Sequence, residues 1–523
     1  MPEFGASADF RQWTFTATHF FSSAARTQLA YQWVTMPEGF SWSELGVDSS
    51  RVQVVKDLPL PSGRREFVLY WCMVNHRAEQ NHALDAAIGL GNQLGLPVVV
   101  YQAIRPDYPH ASDRLHAWAL EGMMDMAEGC AARGLPYWLE LPRTTKEHRP
   151  RLAELGRRAA AIVSDLFPTF IIPGHLRGAA KALDVPLFAV DASCVVPMQR
   201  IATRQIGAYT LRPKLRKLWP EYLERTVPSR DVKAAAAGRK LSPDFDTADA
   251  HAAREALHTF DLDHAVAPIA ERGGRQAGLK AMRDFIRSKL EGYDTGRNDP
   301  GLAQSSGLSP FFHWGNLFPG EAARAAIKAR GAKDPSVQSF VEELLVRREL
   351  GFNYCFHTPG PQQLSVASLP PWARESLTKH QEDAREHRYS MKQLEAARTE
   401  DGLWNAAQRE LMERGRIHNY LRMLWGKKLL EWSPSPKVAL QRIAFLNDKY
   451  AVDGRDPASV ANFMWVLGLH DRPFQERKVL GKVRPMSSAR TADKFDLAPY
   501  LERWGRPGDP PVKLKRVRRK AAG

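Results

Sequence analysis

Residues 68–73 of the chain read Val-Leu-Tyr-Trp-Cys-Met, and residues 97–101 read Pro-Val-Val-Val-Tyr. Both runs are short, apolar and rich in β-branched or aromatic residues, a composition that predicts buried strands. The intervening residues 78–94 place their apolar side chains at helical spacing and stop before Gly95, a residue typical of helix ends. A buried strand, a helix and another buried strand form the unit from which parallel sheets are built. These residues therefore predict an α/β fold.

The same alternation of strand and helix continues along the chain. Apolar runs at 137–141, 161–165 and 186–191 each follow a helical stretch, which predicts a parallel, Rossmann-like sheet with helices on both faces. Later in the chain strand patterns nearly vanish and helical patterns follow one another. The sequence thus predicts an α/β N-terminal domain joined by a long linker to an all-α C-terminal domain. The predicted boundaries are an extension at 1–50, an α/β domain at 51–195, a linker at 196–265, a helical domain at 266–504 and a basic tail at 505–523.

The charge balance and the tryptophan content stand out from an otherwise average composition. The 523 residues include 74 Lys and Arg against 58 Asp and Glu, a net charge of +16, and 14 are Trp. Such an excess of positive charge favours a polyanionic partner, most often nucleic acid. No apolar run is long enough to cross a membrane, and the acidic, aromatic N-terminus is unlike a secretory signal. We therefore expect a protein that stays inside the cell and contacts no membrane.

Several familiar catalytic and metal-binding patterns are missing from the sequence. The four cysteines, Cys72, Cys130, Cys194 and Cys355, form no CxxC pair and no cluster with histidine, so the sequence predicts neither a disulfide framework nor a metal site. The glycines of residues 89–95 resemble the fingerprint of dinucleotide-binding proteins. That fingerprint must follow a strand and begin a helix, whereas these glycines lie at the end of a helix. P-loop, HExxH and GxSxG motifs do not occur, which argues against the usual kinase and hydrolase classes.

The helical half carries the more informative groups. Residues 422–432 place Trp425 and Trp432 seven positions apart, which is two turns of a helix and therefore one face. A tryptophan stripe facing the core and a redox role are both consistent with this spacing. Residues 446–457 put polar and charged groups between apolar helices, where such groups must be paired or bound to a ligand. A large polar ligand would satisfy them.

Three further segments have both a structural and a functional interpretation. Ser305, Ser306 and Ser309 precede a helical run; their hydroxyls and the free backbone N–H groups suit a phosphate, but a helix N-cap is the simpler interpretation. Residues 342–349 combine acidic and basic groups, as a solvated, ion-paired helix face does. The basic residues 513–520 are either a solvated end or a patch for nucleic acid or nuclear import.

Together and in this order, these segments resemble the class II cyclobutane pyrimidine dimer (CPD) photolyases of the photolyase/cryptochrome superfamily. The resemblance spans about residues 51–500. Its most specific segments are 423–432, 446–450, 453–457 and 494–496, with looser similarity at 70–71, 77–84 and 210–214. The resemblance implies an antenna-type α/β domain, an all-α domain that binds FAD and DNA, and a deoxyribodipyrimidine photo-lyase activity.

In such a protein FAD carries the chemistry, and the helical domain positions it. The resemblance places Asn447 opposite flavin N5 and a buried pair of Arg422 and Asp453 beside the ring system, with Asp471 completing the pocket. The residues that it assigns to the phosphates, with Arg347 nearby, are Tyr293, Ser305, Ser306 and Ser309. A second, antenna chromophore of unknown identity is also implied.

The implied reaction is the light-driven repair of UV-damaged DNA. Excited, fully reduced FAD would pass an electron to a flipped-out CPD, whose cyclobutane ring splits before the electron returns. Photolyases are among the enzymes for which base flipping is established. The resemblance assigns Trp465 to stacking on the dimer, Glu343 and Met423 to contacts with it, and Arg484 and Phe474 to the space that it leaves in the DNA.

The family also reduces its resting flavin with light, through a chain of aromatic side chains. The resemblance assigns this chain to Trp425, Trp404 and Trp432, with Tyr389 as a fourth member. Given the family, a chain for electron hopping is favoured over core packing alone, although buried indoles can serve both purposes.

The sequence departs from the family pattern in three places. Ala458–Val460 and Gly468–Phe474 alter a loop that bears on DNA affinity and lesion choice, and Gly307 stands where the family tends to place a larger residue. A cryptochrome-like flavin photoreceptor, a photolyase with altered lesion preference and a non-catalytic DNA-binding protein are therefore the alternative interpretations. The expected partner is UV-damaged DNA, the expected state is a monomer, and the expected location is the cytoplasm with the nucleoid in a bacterium or the nucleus in a eukaryote.

Overall fold

Six strands within residues 52–190 pair into one sheet. The strands are β1 (Val52–Lys56), β2 (Phe67–Cys72), β3 (Val98–Ala103), β4 (Tyr137–Glu140), β5 (Ala159–Asp165) and β6 (Leu187–Val190). Their order across the sheet is β1-β6-β5-β2-β3-β4. Strand β1 is antiparallel to β6, and the remaining neighbours are parallel. From β2 near the centre the chain runs to one edge at β4, returns to β5 beside β2 and continues outward to β6, as in doubly wound α/β folds, and β1 forms the other edge.

The structure is a computed structural model that describes residues 41–61, 65–147, 149–227, 229–233 and 241–514. These residues all belong to one compact unit, Pro37–Gly523. Most of the predicted N-terminal extension, residues 1–40, and the end of the basic tail, residues 515–523, lie outside the described residues.

The five strands predicted from apolar runs are confirmed, each within two residues at either end. In β2, five of the six side chains are buried, because helices cover both faces of a parallel sheet. The edge strand β1 was not predicted. Its sequence, Val-Gln-Val-Val-Lys, is only partly buried, and so it lacks the continuous apolar character of the central strands.

Twenty α-helices lie within the described residues. They are α1 (His82–Leu94), α2 (Asp113–Ala132), α3 (Arg151–Arg158), α4 (Ile172–Ala182), α5 (Ala208–Glu224), α6 (Ala250–Glu255), α7 (Arg275–Ser288), α8 (Tyr293–Gly296), α9 (Ser309–His313), α10 (Pro319–Arg330), α11 (Pro335–Val341), α12 (Arg348–His357), α13 (Pro371–Lys379), α14 (Met391–Glu395), α15 (Gly402–Arg414), α16 (Asn419–Trp432), α17 (Pro436–Tyr450), α18 (Pro457–Val466), α19 (Ser488–Lys494) and α20 (Ala498–Trp504). A π-helix, Glu342–Arg347, joins α11 to α12. None of the helices in the described ranges is long and apolar enough to span a bilayer.

Local sequence sets the ends of the helices that carry the tryptophans. Helix α15 begins where the Asp401 carboxylate accepts the backbone N–H of Trp404, and it ends at Gly415, whose φ is +70°. Helix α17 begins after Ser435, which accepts the backbone N–H of Val438, and has Pro436 in its first turn. Polar N-caps, proline in the first turn and glycine at the C-terminus are the usual helix boundaries.

Beyond β6 the described part of the chain is helical, as predicted for the C-terminal half. The predicted linker, residues 196–265, contains helix α5. Leu211 and Leu215 of this helix are buried in the same apolar cluster as Phe311 and Phe340 of the helical half. The segment therefore contributes to the core, while the domain boundaries remain a prediction.

Arg77 connects the sheet to the helical half. Its side chain is almost fully buried, and its guanidinium donates to Asn75 Oδ1 at 2.8 Å, Gly315 O at 2.8 Å and Ala192 O at 2.6 Å. The planar fork of arginine can satisfy several acceptors at once. This geometry explains the arginine of the segment 77–84, which the sequence analysis noted only as a resemblance.

Glu349 of α12 makes a second connection between the two halves. It is buried, and its Oε1 accepts the backbone N–H of Val195 at 2.6 Å. Burial raises the pKa of Glu349 from 4.5 to about 8, because a charged carboxylate is poorly solvated in the interior. The protonated form of this side chain is therefore the one that the fold favours near neutral pH.

The raised pKa predicts how stability depends on pH. Between pH 4.5 and about 8 the native state holds a proton on Glu349 that the unfolded chain has lost, so this residue makes the free energy of unfolding fall as pH rises, by about 5 kcal/mol over the window. The variant Glu349→Gln, which mimics the protonated form, should lack this contribution. Urea unfolding across the pH range measures the difference from wild type, with Glu255→Gln, an exposed carboxylate on α6, as the control. Parallel curves for wild type and Glu349→Gln would contradict the prediction.

Candidate active site

Three segments far apart in the chain meet at Asp453, in the turn between α17 and α18. Asp453 is buried; its Oδ1 accepts from Arg422 Nη2 at 3.0 Å and its Oδ2 accepts from Ser309 Oγ at 2.6 Å. Burial alone would raise the pKa of Asp453, but the Arg422 charge and the two hydrogen bonds outweigh it and lower the pKa. A stable ion pair therefore joins α9, α16 and this turn, and it is the pair that the sequence placed beside a ligand.

Asn447 presents a buried oxygen that has no hydrogen-bond partner. Its Nδ2 donates to Asp448 Oδ1 at 3.1 Å, and that same oxygen accepts the backbone N–H of Arg455 at 3.0 Å. In contrast, Asn447 Oδ1 is buried and unpartnered among the described residues, as is Nε of Arg422. Buried polar atoms are rarely left unsatisfied in native proteins. These two atoms are therefore available to a polar ligand.

The serine turn at 305–309 does not cap a helix with its hydroxyls. The N-cap of α9 is Leu308, without a side-chain cap bond, so the N-cap interpretation of these serines is wrong. Gly307 has a φ of +71°, and a Cβ there would stand 3.4 Å from Arg416 Nη1. That nitrogen donates to Gly307 O at 3.0 Å. A larger residue would be strained at this position, which explains why glycine occurs here.

Arg416 was not predicted as a site residue. It is largely buried and forms an ion pair with Glu271 next to the serine turn. The only local signal for it is its place just after the glycine that ends α15. Its charge and its contact with Gly307 make it a better neighbour for phosphates at this turn than Arg347, which is exposed and lies 3.8 Å from Glu342.

Tyr293 and Glu343 lie in a second part of the site. Tyr293 is buried, with its ring edge-on to Phe285 and Phe340 at centroid distances of 5.4 and 5.7 Å. Glu343 Oε1 is 2.9 Å from Arg297 Nη1, and burial raises the pKa of this carboxyl. Glu343 belongs to the π-helix between α11 and α12, and such segments often occur at functional sites. Arg297 is another residue that the sequence did not reveal.

The four predicted electron-transfer residues form one continuous path of ring contacts. Trp425 is stacked on Trp404 with centroids 6.3 Å apart and planes at 4°. Trp404 is 5.3 Å from Trp432, and Trp432 is 4.9 Å from Tyr389. Trp425 Nε1 donates to Gln408 Oε1 at 2.9 Å, so its position is fixed. All four rings are buried in one core cluster, and the same side chains therefore also stabilise the helical half.

The predicted DNA-binding residues fall into two groups. Trp465, half-buried near the end of α18, lies 4.5 Å from Nζ of the fully buried Lys427, which donates to Val466 O at 2.6 Å. In the other group, Asp471 accepts two hydrogen bonds of 2.8 Å from Arg484, whose guanidinium stands 4.3 Å from the Phe474 ring. The structure thus places Asp471 with the DNA-binding candidates, and within the described residues its side chain pairs with Arg484 and not with the Arg422–Asp453 pair.

One of the two altered segments is not a surface loop. Residues 458–460 form the first turn of α18, where a Cβ on Gly351 would stand 2.8 Å from Ala458 Cα. Ser459 Oγ donates to Asp453 O at 3.0 Å, and Val460 is buried. The expectation that this departure alters a DNA-binding loop is therefore wrong for Ala458–Val460, because these residues pack against α12. Gly468–Phe474 does contain predicted DNA contacts.

Met423 is half-buried on α16, one position beyond Arg422. Within the described ranges, no group of three or more His, Cys, Asp or Glu side chains could hold a metal ion.

Comparison with known proteins agrees with this arrangement. Residues 68–232 match a family described as DNA photolyase. A deoxyribodipyrimidine photo-lyase from Methanothermobacter thermautotrophicus is 34% identical over 447 residues, which cover 85% of this chain and 95% of that protein. The enzyme of the same name from Oryza sativa is 35% identical over 475 residues, covering 86% and 90%. The solved structure of a Synechocystis cryptochrome has the same fold, with a TM-score of 0.65 at 16% identity, covering 85% of this chain and 89% of that one.

The sheet, the helical half and these relatives define a protein of the photolyase/cryptochrome superfamily. Within that superfamily the chain belongs to the family of deoxyribodipyrimidine photo-lyases. The predicted photo-lyase family and the predicted two-part architecture are therefore confirmed, while the class II assignment stays a prediction.

Proposed function

We propose that this protein binds FAD in its helical half and uses light to split cyclobutane pyrimidine dimers in DNA, in the manner of the class II enzymes. The observation that carries the proposal is the path of rings from Tyr389 to Trp425. It leads inward to α16, where Trp425 lies one turn beyond Arg422 and its buried partner Asp453. Core packing alone would not require these rings to lead to a polar pocket, whereas a redox cofactor bound in the pocket would use such a path.

The residues of the pocket fit FAD. Asn447 Oδ1 and Arg422 Nε are buried atoms in need of partners, and the serine turn beside Arg416 offers hydroxyls and a cation for a pyrophosphate. Arg422, Asn447 and Asp453 would hold the ring system, and Ser305, Ser306, Ser309 and Tyr293 would hold the phosphates. Bound and reduced, FAD would supply a light-absorbing donor of one electron.

The chain's own residues set the conditions for that chemistry. Asp453 and Arg422 neutralise each other, so this pair would add fixed dipoles without net charge beside the ring system. Asp448 holds the Asn447 amide by its nitrogen, which leaves the carbonyl oxygen free as an acceptor. Core packing excludes water from the inner part of the path, where Trp404 and Trp425 are fully buried.

Other residues would bind the lesion. The half-buried Trp465 would offer its indole for stacking, with Lys427 Nζ 4.5 Å from the ring centroid. Glu343, with its raised pKa, would donate a hydrogen bond to a pyrimidine carbonyl, and Met423 would pack beside it. Arg484 and Phe474 would fill the gap that the flipped dimer leaves in the duplex.

The test is repair of a CPD-containing oligonucleotide by the purified, flavin-loaded protein under blue light. We expect the dimer to disappear in the light and to persist in the dark. A flavin protein that photoreduces but leaves the dimer intact would instead be a photoreceptor on this scaffold, and a colourless protein that takes up no FAD would reject the proposal entirely.

We predict that Trp465→Ala weakens binding to dimer-containing DNA. Stacking contributes about 1–3 kcal/mol per base, so the Kd should rise roughly 5- to 150-fold. Binding to undamaged duplex, which depends on phosphate contacts, should be unchanged. Trp465→Phe keeps an aromatic surface and is the matched control, with an intermediate effect. Equal affinity of wild type and Trp465→Ala for the damaged strand would exclude the stacking role.

A further inference from the structure

The start of helix α5 presents the two most exposed large apolar side chains of the described residues. Ile206, two positions before the helix, is 67% exposed, and Tyr209, its second residue, is 65% exposed. Single exposed apolar side chains are common on protein surfaces, whereas neighbouring ones mark interaction sites. Neither residue is among those assigned to FAD or to the dimer. The start of α5 is therefore a separate candidate binding surface.

The chain around this surface is strongly basic. Residues 200–217 contain six Lys or Arg residues and no Asp or Glu. One of the six, Arg212, is paired with Glu342. The other five are exposed and form no ion pair within the described ranges: Arg200, Arg204, Lys214, Arg216 and Lys217. The charge of the segment therefore selects an anionic partner.

Helical spacing places the exposed ring and two of these cations on one face of α5. Arg216 and Lys217 lie seven and eight positions beyond Tyr209, which is two turns along the same face. Leu211 and Leu215, on the opposite face, are buried in the core. The distance along the helix axis from Tyr209 to Lys217 is about 12 Å, the length of about three or four base pairs. Cations for phosphates beside an aromatic ring for bases are the means by which proteins bind DNA without sequence preference.

An ion pair connects this face to the residues assigned to the dimer. Arg212 donates from Nε and Nη2 to Glu342 Oε1, at 3.0 and 2.6 Å. Glu342 is the first residue of the π-helix, and Glu343, its second, is assigned to the dimer. An arginine that makes two hydrogen bonds to one carboxylate is held in a fixed orientation. The α5 face and the π-helix are therefore held next to each other.

A second contact connects α5 to the segment 468–474. His470 Nδ1 donates to the carbonyl oxygen of Ile206 at 2.8 Å. The next residue, Asp471, binds Arg484, which is one of the predicted DNA contacts. The start of α5 thus touches both groups of residues proposed to bind the lesion. Its exposed face continues their surface.

We propose that this face of α5 is a further DNA contact, which binds the nucleotides that flank the dimer. Arg216 and Lys217 bind phosphates, and Tyr209 stacks on a base that loses its neighbour when the dimer flips out. Phosphate contacts and stacking do not read sequence, so the contact adds affinity for any flanking sequence. The inference rests on the proposed function and extends the DNA-binding surface to a helix of the predicted linker.

Removal of the two cations is expected to weaken binding to a long duplex that contains a dimer. For Arg216→Gln with Lys217→Gln we expect the Kd to rise about tenfold, and we expect the slope of log Kd against log salt concentration to become shallower by about 1.8, or 0.9 for each lost phosphate contact. Binding to a single strand with one nucleotide on either side of the dimer should stay at the wild-type level. The control is Arg157→Gln with Lys181→Gln, which removes the same charge from exposed positions on α3 and α4, the helices that pack on the sheet.

Replacement of the exposed ring tests the stacking contact by itself. Tyr209→Ser should raise the Kd for the long duplex about 5- to 150-fold, the range measured for loss of one stacked base. Tyr209→Phe keeps the ring and is the matched control, which should bind as wild type does. Both variants should contain as much FAD as wild type, because Tyr209 lies outside the residues assigned to the cofactor.

Three results would overturn this inference. The first is an unchanged Kd and salt slope for the long duplex in the Arg216→Gln, Lys217→Gln variant. The second is an equal loss on the short strand, which would show that these residues act through the dimer pocket. The third is a DNA-free wild type that sediments as a dimer and a Tyr209→Ser variant that sediments as a monomer, which would assign the surface to a second copy of the chain. Light-driven repair of the short strand by wild type checks the proposed function independently of all three.

Discussion

Replacing Trp425 by phenylalanine is expected to stop the light-driven reduction of bound FAD while the amount of bound FAD stays the same. Trp425 is the innermost ring of the path and is stacked on Trp404. A phenyl ring is much harder to oxidise than an indole, so the side chain at this position could no longer serve as an intermediate electron donor. A barrier higher by only about 3 kcal/mol slows the step roughly a hundredfold. The measurement is the rate at which the flavin spectrum changes under blue light with a reductant present.

The control for this variant is Trp504→Phe. Trp504 packs against the same core cluster but takes part in none of the ring contacts of the path. Its replacement tests whether loss of indole packing alone affects photoreduction. We expect Trp504→Phe to photoreduce at the wild-type rate. A wild-type rate in Trp425→Phe would show that electrons reach the cofactor by another route, and the assignment of the path would be wrong.

The sequence predicted those features whose signal lies within a few neighbouring residues. Strand β2 is continuously apolar and was found easily, and the spacing of Trp425 and Trp432 placed both on one helix. Strand β1 was missed because an edge strand needs no continuous apolar run. Its pairing with β6, more than a hundred residues later, is a tertiary contact that no local pattern records.

Within the site, too, the sequence did not predict residues whose role depends on distant partners. Arg416, Arg297 and Lys427 were missed because their importance comes from partners elsewhere in the chain. Arg416 meets Gly307, and Lys427 meets the end of a different helix. Asp471 was expected in the flavin pocket by resemblance, yet in the structure it binds Arg484. Only the folded chain shows which of several available cations a carboxylate contacts.

The largest expected effect on both stability and cofactor binding comes from Arg422→Ala. The replacement leaves Asp453 buried without its cation, and Ser309 alone cannot compensate for a carboxylate removed from water. Loss of one member of a buried ion pair costs about 3–5 kcal/mol. We expect the purified variant to unfold at a lower denaturant concentration and to contain no FAD, as measured by urea unfolding and by the flavin absorbance per mole of protein.

A double variant separates the loss of stability from the loss of bound FAD. Arg422→Met with Asp453→Leu removes both charges and replaces them with apolar side chains of similar size, and such exchanges are often neutral or stabilising. We therefore expect the double variant to recover much of the lost stability and still to contain no FAD, since the groups that would contact the ring system are gone. If the double variant binds FAD as well as wild type does, the Arg422–Asp453 pair serves the fold alone. In that case the contacts assigned to Arg422 and Asp453 at the ring system would be wrong, and the unpartnered oxygen of Asn447 would be the remaining argument for a ligand at this place.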